Sequence, residues 1–209
     1  RLDGREYYDT TMNVSLESSG GTDAFVAKYN SGGEALWAKK GGGPGNDMAL
    51  ESDVDEFGNV FVTGYFRDTA VFDTETLITK AFARMFIAKY NTNGTIQWIT
   101  PGGSSDSART SFGMEVRTDN SGNVFVIGTF TGTADFGNSV QLTSTGSDDI
   151  FLAKYNSNGV CQWAKKAGGS GSDAGMGLDI DTDGNIFISG GFEGTSNFGN
   201  GKSLTSSGG

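Results

Sequence analysis

The chain has 209 residues and carries 34 Gly, 2 Pro, 15 Phe, 6 Tyr and 3 Trp. That composition excludes a disordered linker, which would lack the aromatics, and points to short strands joined by tight turns. A net charge of −10 repels a phosphate backbone and so excludes nucleic acid as a partner. One cysteine, Cys161, and no histidine exclude an internal disulfide, a Cys/His zinc site and a His-based catalytic triad.

The chain opens on Arg1 rather than Met, which reads as a processed or partial chain. No stretch reaches the ~18 apolar residues of a transmembrane helix, and no secretory signal is visible. Leu16 to Phe25 aligns with Leu142 to Phe151, so residues 1–22 read as the tail of an earlier repeat.

The first strands are expected at Phe25–Asn30 and Ala35–Lys40, around the turn Asn30-Ser-Gly-Gly33. An Asn that opens a turn can accept a hydrogen bond from the backbone two residues on, and the closing Gly can take positive φ. Next comes Gly41-Gly-Gly-Pro-Gly-Asn-Asp47, a connection to a second hairpin. That hairpin joins strands near Ala49–Val54 and Val60–Phe66 through Asp55-Glu-Phe-Gly58.

The same order then returns. Phe25-Val-Ala-Lys-Tyr-Asn30 recurs from Phe86 and from Phe151, and Trp37 recurs in step as Trp98 and Trp163. The repeat length is 61–65 residues, the signature of a repeat architecture such as a β-propeller, with a unit longer than usual. Gly58-Asn-Val-Phe-Val-Thr-Gly64 recurs from Gly122 and from Gly184. Phe72, Phe136 and Phe198 keep a third register, and Leu16, Leu77, Leu142 and Leu204 a fourth.

No segment shows a 3.6-residue apolar period, so helix is not expected. Two hairpins per repeat make a four-stranded antiparallel blade, the unit of a β-propeller. The fold class is therefore all-β, a propeller segment of about three repeats belonging to a six- to eight-bladed ring. The blades are bounded at 48–110 and 111–174, with 1–47 the end of one blade and 175–209 the start of another, open at both ends. Each repeat exceeds the usual 40–45 residues by roughly 20. The surplus, as at Thr131–Asp149, reads as an extra hairpin or ordered loop on one rim, where a binding function would naturally sit.

Asp-Ala-Phe-Val-Ala-Lys-Tyr-Asn from Asp23, with Leu36-Trp-Ala-Lys39, the Gly41–Asp47 segment and Asp55-Glu-Phe-Gly-Asn-Val-Phe-Val-Thr-Gly64, resembles the bacterial SBBP repeat of seven-bladed β-propellers. The likeness runs over essentially the whole chain. It departs at Trp98-Ile-Thr-Pro101, where the other copies read Trp-Ala-Lys-Lys, and at Arg117, where they carry Asp53 and Asp179. The resemblance implies a propeller fold and a secreted or cell-surface bacterial setting, and it brings no catalytic motif.

Among candidate sites, Asp179-Ile-Asp181-Thr-Asp183-Gly184 matches the opening of a calcium loop, since alternate carboxylates before a sharp turn suit that ion. Only the middle Asp recurs, as Asp55 and Asp119, which suits turn formation better than ligation, and the residue at the twelfth position is Gly190 rather than Glu. Trp37, Trp98 and Trp163 read as packing between blades in preference to stacking on sugars. Lys39-Lys40 and Lys165-Lys166 read as solvated edge charges, and Cys161 as a lone thiol at a turn-flanking position like Thr95 or Glu34.

No catalytic residues and no cofactor are expected. The leading expectation is a non-catalytic, cell-surface scaffold for a protein or a glycan. Two others stand beside it: a carbohydrate-active lyase or hydrolase whose site further blades complete, and a structural subunit of an outer-membrane or secretion assembly.

Overall fold

The computed structural model describes residues 15–208, so the part of the expected tail at 1–14 lies outside it. Eighteen strands follow one another without a helix among the described residues. The first pair is β1 (Ala24–Tyr29) and β2 (Ala35–Gly42). One full repeat holds β3 (Met48–Val54), β4 (Val60–Phe66), β5 (Thr69–Phe72), β6 (Glu75–Ile78), β7 (Arg84–Tyr90) and β8 (Ile96–Gly102). The next holds β9 (Ser111–Thr118), β10 (Val124–Phe130), β11 (Thr133–Asp135), β12 (Gln141–Thr143), β13 (Asp149–Tyr155) and β14 (Cys161–Gly169). Last come β15 (Ala174–Ile180), β16 (Ile186–Gly191), β17 (Thr195–Asn197) and β18 (Ser203–Thr205).

Strands β3-β4-β7-β8 form one four-stranded antiparallel sheet, and β9-β10-β13-β14 form its counterpart. These are propeller blades. Turn chemistry explains their hairpins. Asn91 Oδ1 accepts the amides of Asn93 and Thr95 at 3.0 and 2.9 Å, and Asn30 and Asn156 do the same in their copies. Asp55, Asp119 and Asp181 each accept two amides and the side-chain amide of the Asn four residues on. The closing glycines take positive φ, 76° at Gly94 and 74° at Gly159.

The surplus of each repeat is a hairpin, as expected, yet it does not stand free on a rim. Hairpin β5–β6 pairs with β2, so that Gly41 lies opposite Phe72, and β17–β18 pairs with β14 in the same way. Hairpin β11–β12 reaches the end of β8, where Gly103 and Asp135 exchange both amide bonds at 2.8 and 3.2 Å. Each repeat thus lays its inserted hairpin along the outer edge of the blade before it. Ala70, Phe72, Ala134 and Phe136 are buried there, with Phe72 against Phe86 and Phe136 against Phe151 at centroid distances of 4.8 and 4.9 Å. The hairpin covers an otherwise unpaired edge and adds aromatic core, and it locks neighbouring blades together.

The core lies between blades. One layer joins Val60, Val62, Phe66, Phe86 and Tyr90 to Ala24, Trp37 and Phe72, and the next joins Phe61, Ile87 and Trp98 to Val126, Phe130, Phe136 and Phe151. Among the described residues no strand pairing joins the first sheet to the last.

Candidate functional site

Each blade presents the cross-strand row Phe–Lys–Trp to its successor. Phe61 lies opposite Lys89 and Lys89 opposite Trp98; Phe125, Lys154 and Trp163 repeat the row. The Lys89 and Lys154 ammonium groups sit 5.1 Å from the Phe61 and Phe125 ring centroids, which favours the cation over the aromatic face. Trp37 Nε1 donates to Thr92 O of the following repeat, and Trp98 Nε1 to Ser157 O, both at 3.0 Å. A Cβ on Gly94 would lie 2.8 Å from the Trp37 ring, and one on Gly159 would lie 2.8 Å from the Trp98 ring. Trp37 and Trp98 are therefore latches between blades, with their faces covered by glycine backbone and unavailable to a sugar.

The lysine pairs need correction. Lys166 Nζ lies 3.1 Å from Asp149 Oδ2, and Lys40 lies 3.4 Å from Asp23 Oδ2, both carboxylates being almost fully buried. Lys39 bonds Asp73 at 3.3 Å. Solvated edge charge does not describe Lys39, Lys40 and Lys166, because each neutralises a carboxylate, whereas Lys165 is exposed. The middle repeat carries Arg84 and Pro101 at the corresponding positions, so it loses both partners together. Cys161 also moves. It lies in β14 opposite Tyr155, in register with Ile96 opposite Tyr90 and Ala35 opposite Tyr29, and not with Thr95 or Glu34. Burial pushes its thiol up to about 11, which leaves a protonated, weakly nucleophilic sulfur at neutral pH.

The Gly-rich connections turn around buried side chains. Asp47 accepts the Gly43 amide at 2.9 Å and the Arg67 amide at 2.8 Å; Asp173 accepts the Gly169 amide at 2.8 Å. Burial raises the Asp47 pKa above its ordinary value against the pull of those two amides. These segments carry the chain from an outer strand to the next inner strand.

Inner strands β3, β9 and β15 lie side by side. Asp53 Oδ2 accepts both the amide and the hydroxyl of Thr118 at 2.7 Å, and Glu115 Oε2 accepts the Leu178 amide at 2.6 Å. Arg117 bridges Glu51 of the preceding blade, at 3.8 Å, and its own Glu115. Its departure from the Asp of the other copies supplies a cation between two glutamates.

This alignment brings three turns onto one rim: Asp55–Gly58, Asp119–Gly122 and Asp181–Gly184. Clefts of about 200 and 350 Å3 separate them, the first lined by Asp53, Phe57, Arg117 and Asn120, the second by Thr118, Ser121, Ile180 and Asp183. Phe57 is 72 % exposed here, and Val54 is exposed beside it. The rim is acidic and polar around one apolar anchor. No sequence motif marked it, since its signal is an exposed Phe57 where the other copies carry Ser121 and Asp183.

The calcium candidates separate on this rim. Both Asp181 oxygens are taken by the Asp183 and Asn185 amides and the Asn185 side chain, which hold its carboxyl below the usual range. Asp179 accepts the Ile180 amide at 2.9 Å. Among the described residues no group of three or more His, Cys, Asp or Glu side chains is placed to hold a metal ion, and no helix is long and apolar enough to cross a membrane.

No family model matches the chain. It is 29% identical over 190 residues, 79% of its own length, to an uncharacterized WD repeat-containing protein of Acanthamoeba polyphaga mimivirus. The match takes in 14% of that relative, so the chain spans about one-seventh of its length. Successive four-stranded blades, locked in register, together with this likeness identify the chain as a β-propeller-like repeat protein.

Proposed function

We propose that the chain is a non-catalytic scaffold that binds another protein through the rim of its inner-strand turns. The exposed Phe57, set among Val54, Glu56 and Asn120, carries this reading. An aromatic anchor within a polar border is the usual anatomy of a protein-docking face. Chemistry elsewhere is already committed: the turn carboxylates hold amides, Trp37 and Trp98 are latches, and the Cys161 thiol is buried and protonated. Likeness to a WD repeat-containing protein supports the scaffold part of the reading. Resemblance to the SBBP repeat supports a bacterial setting outside the cell or at its surface.

The test compares the chain with Phe57→Asp, immobilised and exposed to cell-surface extract. A protein retained saturably by the wild type and lost from the folded variant is expected. A ligand, protein or glycan, held equally by both, or turnover of a substrate, contradicts the reading. Protease accessibility of the chain on intact cells tests the setting: cleavage is expected, and protection until lysis contradicts it.

A further inference from the structure

One stretch departs from the repeat at several positions together. Lys80-Ala-Phe-Ala-Arg84 leads into β7, where the corresponding segments read Ser19-Gly-Gly-Thr-Asp23 and Thr145-Gly-Ser-Asp-Asp149. Arg67 has Thr131 and Glu193 as its counterparts, Tyr65 has Thr129 and Gly191, and Phe112 has Met48 and Ala174. Seven residues, Arg109 among them, separate Gly103 from Ser111, against four between Gly42 and Asp47 and between Gly168 and Asp173. Arg84 and Ser111 themselves replace the aspartate pairs Asp23 with Asp47 and Asp149 with Asp173. Acids and small residues are here exchanged for cations and aromatic rings.

The fold gathers these exchanges at the end of β4 remote from Asp55–Gly58. The Phe82 amide donates to Arg109 O at 3.1 Å and the Ser111 amide to Ala83 O at 2.9 Å, so the segment before β7 lies along the lengthened connection. The Arg67 guanidinium sits 4.2 Å from the Phe82 centroid and 5.8 Å from that of Tyr65. Tyr65 in turn meets Phe112 of the next blade edge-on at 5.0 Å. Phe82 is 57 % exposed; Lys80 and Arg109 are exposed, and Arg109 lies 3.9 Å from the exposed Asp106. Arg67 Nε is buried without a hydrogen-bond partner, and no ion pair among the described residues uses Arg67. Asp47, the buried acid beside it, already accepts the Gly43 and Arg67 amides.

We infer that this rim is a second docking site, for a peptide segment of a protein partner that carries one acidic side chain beside a bulky apolar one. The carboxylate pairs with Arg67, and the apolar side chain covers Phe82. A guanidinium held by two aromatic rings is already oriented for two-point bonding to a carboxylate, so little freedom is lost on binding. Charge decides the class of partner. A chain of net charge −10 repels a polyanion such as an acidic polysaccharide at long range, whereas a single carboxylate answers to the cations close to it. The blades on both sides of the site are complete, β3-β4-β7-β8 and β9-β10-β13-β14. Because it lies at the other end of β4 from Phe57, the site adds a partner instead of widening the first face.

The test selects random peptides displayed on phage against the chain, with counter-selection on the double variant Arg67→Thr, Phe82→Ser. Those replacements are the residues that Thr131 and Ser147 supply at the corresponding positions of the next blade, so the variant keeps the fold. Peptides with an acidic residue beside an aromatic or aliphatic one should be enriched. A labelled peptide from that set should bind at least about tenfold more weakly when its acid is changed to the amide, a readout independent of any change in the protein. Arg67→Thr alone should give a similar loss, with Phe57→Asp leaving the affinity unchanged. No peptide retained in preference to the double variant, selected peptides without an acid, or binding that survives Arg67→Thr would overturn the inference. Binding lost on Phe57→Asp, or Arg67-dependent saturable binding of polygalacturonate, would overturn it as well.

Discussion

Trp98 and Gly159 act together: the indole N–H reaches Ser157 O, and the ring lies on a glycine at φ 74° that has no room for a Cβ. Trp98→Ala should cost about 2–4 kcal/mol in denaturant unfolding, through lost packing and an unpaired carbonyl. Gly159→Ala should cost about 1–3 kcal/mol, since it adds both a left-handed non-glycine residue and a clash with the ring. Losses no larger than those of an indifferent surface substitution, under about 0.5 kcal/mol for both, would contradict the latch. Carboxylates give an independent check by NMR titration. Burial favours the neutral form of Asp47, so its folded pKa exceeds the unfolded 3.8 and its contribution to stability falls as pH rises between the two. Asp181 has the opposite sign: the Asn185 side chain and amide favour its anion, so its contribution is present above 3.8 and is lost as pH falls through the depressed value. Asp47 should therefore titrate above, and Asp181 below, an unperturbed aspartate; the reverse order would refute these assignments. Cys161 should resist alkylation at pH 8 in the folded chain and react on unfolding.

At the level of elements, what could be read from the sequence divides by range. The hairpin turns were legible because Asn30, Asn91 and Asn156 act on amides two and four residues away, a signal contained in the motif. The destination of the inserted hairpins was not, because their seat on the preceding blade rests on two residue pairs, such as Gly41 with Phe72, that lie far apart along the chain. Lys40 and Lys166 look solvated in the sequence although their hairpins were legible, because the burial of Asp23 and Asp149 is a property of the folded chain and not of the motif. The rim around Phe57 has no sequence signature because exposure is a property of the assembled turns. Phe136→Ala should cost about 3–5 kcal/mol, as expected for a fully buried ring between two blades. An effect below about 1 kcal/mol, small for any core truncation, would mean that hairpin β11–β12 lies free.

Across the whole molecule, stability is built between neighbours. Each blade touches the next through a latch, a Phe–Lys–Trp row, inner-strand carboxylates and a borrowed hairpin, so the array behaves as a chain of nearest-neighbour interfaces. Such a frame holds its turns rigidly while leaving their tips free to vary, which is what a binding scaffold requires. The most direct measurement of this interlocking is native-state hydrogen exchange resolved to single amides. The structure predicts that Gly103 and Asp135, which bond each other across the blade boundary, exchange slowly and together with the central strands β4, β7, β10 and β13. Exchange of Gly103 and Asp135 at the rate of an open loop, while those strands stay protected, would contradict it.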